Sequence, residues 1–549
     1  MNKLVKIILV VQILFSIACN DSNNQSKNVI IGIAADVESL NPLFAFHANE
    51  AAITELIFLS LVKHEWDPEK ASLKAVNMLA ESVQWDYTDN SVLIKIRDDV
   101  YWSDSVQCTV DDVILSFDLY SDPQIQSRAL GMFENYFLTG EGKIEVEKTF
   151  SKVSEFELKI NFAKGTKPST LDIDHPIIPA HIFSEINREE ISTNQFNTLP
   201  VTCGPYKLKN WNKEQSIVLI RNTESFLGND MSPEEIIFKV VPNYASLVLQ
   251  LKGGEIDFIN DVKPEDAAEF IKEDKFDVKL SQGRQYDYIG WNNIEPSEFE
   301  NDNKLVPHRL FGDVSVRRAL SHAINRDEVL NNFLYDYGQA ATGPISNNFL
   351  LIDKDELKPA DFNIDKAKQM LSDAGWIDSN NDGVLDKDGV EFKFNLYVPS
   401  GEPRREFAAN IFNNNFKELG IDVNIQFVAM NSFIDGLFAK QYDAWMIGWT
   451  NPIPLNLRIQ WYSDLEETPF NLPSYQNKKV DELLDIIDSD ADELTKARAY
   501  KEINTTLFNE QPFCFLYWID GIAVHNSRIK NVTVNPLGSI QNCWEWKLN

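Results

Sequence analysis

The residue types with chemical reach in this 549-residue chain suit holding a molecule rather than transforming one. Trp449-Thr450-Asn451 sets a flat apolar wall beside a hydroxyl and a carboxamide, groups that hydrogen-bond a peptide backbone or a sugar. Arg404-Arg405, ahead of a helical run, can grip a carboxylate bidentately. Each also has a structural reading: tryptophan is often core, and arginines often solvate a helix start. Asp378, Asn380, Asp382 and Asp386 fall at positions one, three, five and nine of a calcium loop, with Gly383 at the sharp turn. Gly389 stands where the bidentate glutamate belongs, so a solvated acidic hairpin is the expectation. His175 and His181, beside and within PIIPAHIF, lack zinc-ligand spacing, and Cys108, Cys203, Cys514 and Cys543 form no C-x-x-C pair. These four are expected as buried thiols rather than bridges. G-x-S-x-G, H-E-x-x-H and a phosphate loop are missing, so no catalytic residue is expected.

The elements that must position these groups are marked locally. In residues 80–117, Val92, Ile94 and Ile96 alternate with Leu93, Lys95 and Arg97, the period of a strand packed on one face. Thr109 stands three residues before Asp112 and ahead of Val113, Ile114 and Phe117, which predicts a helix capped at Thr109. A strand is expected over 29–34, a turn at Leu40-Asn41-Pro42, a helix over about 51–61 and a turn at Gly204-Pro205 leading into a strand through 217–220. Gly253-Gly254 end a helix before a short strand. Asp313 or Ser315 and then Asn325 open two helices, on which Arg317 and Arg318 are expected as surface charges. Further on, residues 399–428 read as helix then strand, a strand ends near Trp449, a helix follows PSYQN, and residues 511–524 are an aromatic, β-branched strand.

Lys3 and Lys6 precede an apolar stretch from Ile7 to Ile17, too short to span a bilayer, and Ala18-Cys19 follow. That pattern predicts a secretory signal over 1–18, then a polar tether over 19–28. The remainder has room for two or three domains. Its 83 acidic and 51 basic residues give a net charge of −32, which argues against a nucleic-acid partner.

RDDVYW and TVDDVILSF within 80–117, GPYKL at 204–208, VRRALSHAINR at 316–326 and AGW at 374–376 together resemble the extracellular solute-binding proteins of the dipeptide, oligopeptide and nickel-binding family, which serve ABC importers. The resemblance covers nearly all of the chain beyond the tether. It implies an α/β, two-lobed periplasmic-binding-protein fold of type II with mixed sheets and an additional inserted α+β domain. Residues 29–50, 195–285 and 510–549 would form the first lobe, 51–194 the inserted domain and 286–509 the second lobe, with chain crossings near Gln282 to Trp291 and Phe508 to Phe515 as hinge. Implied ligand contacts are Trp449, Thr450, Asn451, Tyr286, Trp291, Asn292, Phe44, Phe46, Arg404 and Arg405. Peptide-binding members place an aspartate just after a Gly-Trp strand end, to pair with the ligand ammonium. Here Gly448-Trp449 is followed by Thr450-Asn451-Pro452-Ile453-Pro454, and no carboxylate comes before Asp464. Either another acid makes that contact or the ligand is not an ordinary free-amino peptide. The resemblance extends to a lipobox, with Cys19 as lipidated first residue, although Ser16 departs from the usual leucine or valine. The implied function is capture of a peptide or peptide-like solute for a membrane permease, by an exported, membrane-anchored monomer facing the periplasm or cell surface. No cofactor or metal is expected, since no histidine cluster suits nickel. The alternatives are an oligosaccharide or other small solute, a signalling receptor on the same scaffold, or a secreted hydrolase.

Overall fold

The computed structural model describes residues 27–302, 304–346 and 357–548; the expected signal segment, Cys19 and most of the tether lie outside them. Locally, the sequence folds as its patterns dictate. The strands Ala80–Asp86 and Ser91–Ile96 form an antiparallel hairpin. At Thr109 the Asp112 carboxylate accepts the Thr109 N–H at 2.7 Å and the threonine hydroxyl accepts the Asp111 N–H at 3.3 Å, opening the helix Val110–Tyr120. The helix expected over 51–61 is shifted to Ala48–Ile57. Glu50 caps its start by accepting the His47 N–H at 3.0 Å, and the turn at 203–204 closes its end, both N–H groups donating to the Ile57 carbonyl. A Cβ on Gly204 would stand 2.5 Å from the Ile57 carbonyl carbon, so only glycine allows that approach.

One sheet runs through both lobes. Its order is Asp422–Val428, Lys393–Pro399, Ala444–Thr450, Phe276–Trp291, Phe513–Asn526, Phe258–Ile259, Asn28–Ile33, Glu235–Val240, Ser216–Arg221 and Tyr206–Asn212. The two long central strands, Phe276–Trp291 and Phe513–Asn526, pair antiparallel and carry the chain between lobes. Ser281 pairs with Gly521 and Gln285 with Ile519, so residues 282–284 face Asp520 alone, a bulge that bends and twists the ladder at the crossing. On the N-terminal side Phe276 packs in a first-lobe cluster with Ile522 and Val524. Beyond the bulge the period of two divides the side chains: Tyr286, Tyr288, Phe513 and Phe515 enter one second-lobe cluster, and Ile289, Trp291, Cys514 and Leu516 the other. The second crossing is therefore at 519–521 rather than Phe508 to Phe515, and residues 513–518, expected in the first lobe, pack in the second.

Three further expectations meet the structure here. Arg317 is buried, not a surface charge: its Nε donates to the Glu510 and Gln511 carbonyls at 3.0 and 3.1 Å and its Nη1 to Phe311 O at 2.6 Å, while Arg318 is exposed. The 378–389 loop is a hairpin closed on itself, with Asp378 accepting the Asp382 and Gly383 N–H groups and Asp386 accepting from Ser379. All four cysteines are buried free thiols.

Next to the bulge, the fully buried Asp287 takes Arg404 and Arg405 from the start of the helix Pro403–Glu418. Arg404 Nε reaches Oδ2 at 2.8 Å; Arg405 Nε and Nη2 reach Oδ1 at 3.2 and 3.1 Å. Burial pushes the Asp287 carboxyl upward, but the two guanidiniums outweigh it and hold its pKa below the ordinary carboxylate value. The strand partner is Gly448, and a Cβ there would lie 2.5 Å from Asp287 Oδ1 and 2.7 Å from Arg405 Nη2.

Asp287→Asn leaves two arginines without their buried carboxylate and should cost about 3–5 kcal/mol in urea unfolding at pH 7. Because the folded-state pKa is depressed, this stabilisation is complete above the unfolded carboxylate value near 4 and is lost as pH falls through the folded one. The difference between wild type and variant should thus shrink only in acid below about pH 4, and a gap that is the same at pH 3 and pH 7 contradicts the pairing. Gly448→Ala wedges the same contact and should cost about 1–3 kcal/mol; an unmoved urea midpoint would contradict that.

Candidate ligand cleft

The parallel strands of both lobes end at the crossing. In the first lobe Asn28–Ile33 runs parallel to Glu235–Val240 and Phe258–Ile259; in the second, Lys393–Pro399 runs parallel to Asp422–Val428 and Ala444–Thr450. Open α/β sheets bind ligands beyond such carboxyl ends. There the structure has a cavity of about 570 Å³ between the lobes. Asn260 and Asp261 enter it directly after Ile259, Thr450 from the last position of its strand, Arg404 from its helix, and Ser281, Arg284 and Asp520 from the crossing itself. The volume suits a small organic solute.

Arg284 joins the two walls. Its Nε donates to the Asn451 carbonyl at 3.1 Å in the second lobe, and its Nη1 to the Pro536 carbonyl at 3.0 Å in the first. Arg404, one edge committed to Asp287, keeps a fifth of its side chain exposed on the cavity wall, and among the described residues no second carboxylate lies within 4 Å of it. Arg405 turns away, its outer edge 3.5 Å from Glu402. The carboxylate that the arginine pair was expected to meet is thus first of all the chain's own, with only Arg404 still open to a ligand.

The other implied contacts divide sharply. Thr450 is exposed in the cavity, whereas Trp449, one residue earlier on the strand, faces the opposite side. Its half-buried ring meets Phe470 edge-on at 5.6 Å, and Phe470 meets Phe438 at 5.5 Å. Asn451 is buried, its Nδ2 donating to Pro344 O at 2.8 Å. Tyr286, Trp291 and Asn292 are fully enclosed in the second lobe: Tyr286 meets Trp518 edge-on, Trp291 stacks on Phe311, and Asn292 donates to the Lys440 and Tyr442 carbonyls at 3.2 Å. As placed, they support the wall without reaching a solute. Phe44 packs on the first-lobe core. Phe46, 62% exposed, opens onto a second hollow of about 620 Å³ toward Arg128, Met132, Leu171 and His175. Burial lowers the His175 pKa to about 4, so that ring is neutral at physiological pH. Asp261, Arg284 and Asp520 were not singled out in the sequence, although Asp261 follows a strand end, the position at which α/β folds place ligands.

Among the described residues no group of three metal-ligating side chains exists and no helix is long and apolar enough to cross a membrane. Known proteins are similar to this chain. The oligopeptide-binding protein AppA of Bacillus subtilis (strain 168) is 27% identical, with 98% of this chain and 97% of that protein covered. The probable D,D-dipeptide-binding periplasmic protein DdpA of Escherichia coli (strain K12) is 24% identical over 93% of this chain and 92% of its own. The solved structure of AppA from Bacillus subtilis in complex with a nonapeptide superposes with a TM-score of 0.67 at 25% identity, covering 95% of this chain and 99% of that one. NikA from Brucella suis in complex with Fe(III)-EDTA shares the fold, with a TM-score of 0.75 at 19% identity over 95% and 100% of the two chains. A family model described as bacterial extracellular solute-binding proteins, family 5 Middle, matches residues 74–464. With its two lobes joined by paired crossing strands and a cavity at the strand ends, the chain belongs to the bacterial extracellular solute-binding proteins of family 5.

Proposed function

We propose that the hinge cavity captures a peptide whose carboxylate meets Arg404, and that the filled protein delivers it to the membrane permease of an ABC importer. The observation that carries this reading is the state of Arg404: Asp287 fixes its orientation, yet part of the guanidinium still opens onto a cavity built from both lobes. A preorganised guanidinium recognises a carboxylate at small entropic cost. The oligopeptide and dipeptide names of the relatives support a peptide as the solute. The signal pattern at 1–18 and Cys19 support export and a lipid anchor, and the protein is taken to act as a monomer. Binding closes the lobes because a ligand touching both favours the closed arrangement by its difference in affinity. No bond in the solute is made or broken.

The test combines mass spectrometry of solute released from the purified protein with thermal unfolding in its presence. The midpoint should climb with concentration, equivalent to about 1.4 kcal/mol for each tenfold excess over Kd. Arg404→Gln leaves Asp287 paired to Arg405, so the fold should survive while affinity for a peptide with a free carboxylate drops about tenfold or more. Release of sugars or metal chelates alone, or an Arg404→Gln protein that binds peptide like wild type, would contradict the reading.

A further inference from the structure

Besides the two crossing strands, side chains tie one lobe to the other. Trp66 is half-buried and packs on the second-lobe aromatic cluster. Lys167 reaches the Asp490 carboxylate at 2.7 Å and the Asp488 carbonyl at 3.3 Å. Both stand on segments fixed in the first-lobe core by Val62 and Phe162. Hinge rotation moves the parts far from its axis most, so contact there marks the arrangement as closed. A further tie crosses the wall of the hinge cavity. Arg284 belongs with the second lobe: its carbonyl accepts the Asn451 N–H at 3.0 Å, its Nε donates to the Asn451 carbonyl at 3.1 Å, and Gln285 beside it pairs with Thr450. Its Nη1 donates at 3.0 Å to the Pro536 carbonyl, on a first-lobe turn. Reciprocal N–H to carbonyl bonds of 3.0 Å between Asn535 and Gly538 close that turn, and the Ser539 hydroxyl fixes it to Asn260, directly after the strand Phe258–Ile259.

From these contacts we infer that Arg284 is a clasp for the closed arrangement, a positioning residue that governs how long a solute is held. This role rests on the closure proposed above and not on the identity of the solute. When the lobes part, Arg284 leaves with Asn451 while Pro536 stays with the first lobe, so the bond from Nη1 to the Pro536 carbonyl is the one that breaks. Both partners belong to the chain, and the clasp therefore engages before a solute arrives. Its strength is bounded from two sides. A charged donor on a carbonyl makes a stronger hydrogen bond than a neutral one. Partial burial opposes it, lowering the guanidinium pKa, because opening returns water to the charge. The exposed Lys167–Asp490 pair adds little by comparison. The clasp thus biases the closed arrangement without locking it, as reversible capture and delivery require.

Small-angle X-ray scattering compares wild type with Arg284→Met, each freed of copurified solute and then titrated with casein hydrolysate. A second hydrolysate has its carboxylates capped as methylamides. Ligand-free Arg284→Met should show a larger radius of gyration than wild type at equal mass, since the clasped fraction is lost. The hydrolysate concentration that gives half of the full shrinkage should rise about tenfold, the effect of one charged hydrogen bond, and by the same factor for plain and capped peptides. Ser539→Ala, which frees the turn from Asn260, should move both readouts the same way by less. Equal ligand-free radii for wild type and Arg284→Met overturn the clasp. So does a rise confined to uncapped peptides, which makes Arg284 a carboxylate contact of the solute. A lower urea midpoint with an unmoved half-shrinkage concentration also overturns it, being the mark of a purely structural residue. If neither hydrolysate shrinks wild type, the peptide reading falls and the ligand-free radii alone decide the clasp.

Discussion

The pairing of two long antiparallel strands is the constraint from which the rest of this molecule follows. Phe276–Trp291 and Phe513–Asn526 belong to both lobes at once, so the sheet is continuous and the lobes cannot separate, only bend. The three-residue bulge at 282–284 concentrates that bending where ladder bonds are already missing. Just beyond it, Asp287 ties the second-lobe side to the helix Pro403–Glu418. Taking one carboxylate and two guanidiniums out of water is expensive, and the close, several-fold hydrogen bonding offsets that cost. A hydrophobic cluster in the same place would hold the helix as well. It would not leave an oriented guanidinium at the cavity.

The lobes also meet away from the crossing. Trp66, from the strand Val62–Asp67, packs on the second-lobe aromatic cluster, and Lys167 reaches Asp490 at 2.7 Å. Both members of that ion pair are more than half exposed, and such pairs contribute about 0–1 kcal/mol. Arg284 is partly buried and bonded to carbonyls of both lobes.

How far the sequence could be read depended on distance along the chain. The capping box at Thr109–Asp112, the Gly254 helix end and the hairpin at 80–96 involve residues a few positions apart, and the pattern sufficed. Arg317 looked like a surface charge because the carbonyls of Glu510 and Gln511 that cage it lie nearly two hundred positions away. Asp287 escaped notice for the same reason, its partners being 117 and 118 residues distant. Tyr286 and Trp291 lie on a strand that does reach the crossing, but past the bulge that strand is covered on both faces and residues 286–291 are all buried. Trp449 and Thr450 are neighbours on one strand, whose alternation sends them to opposite faces. Only the threonine reached the cavity.

Closure around a solute held at the crossing would draw the lobes together, and small-angle X-ray scattering reads that change in solution. Protein freed of copurified solute should show a smaller radius of gyration once the peptide it retains is added to saturation, with no change in mass. An identical radius in the presence and absence of bound peptide would contradict a hinge that ligand binding closes.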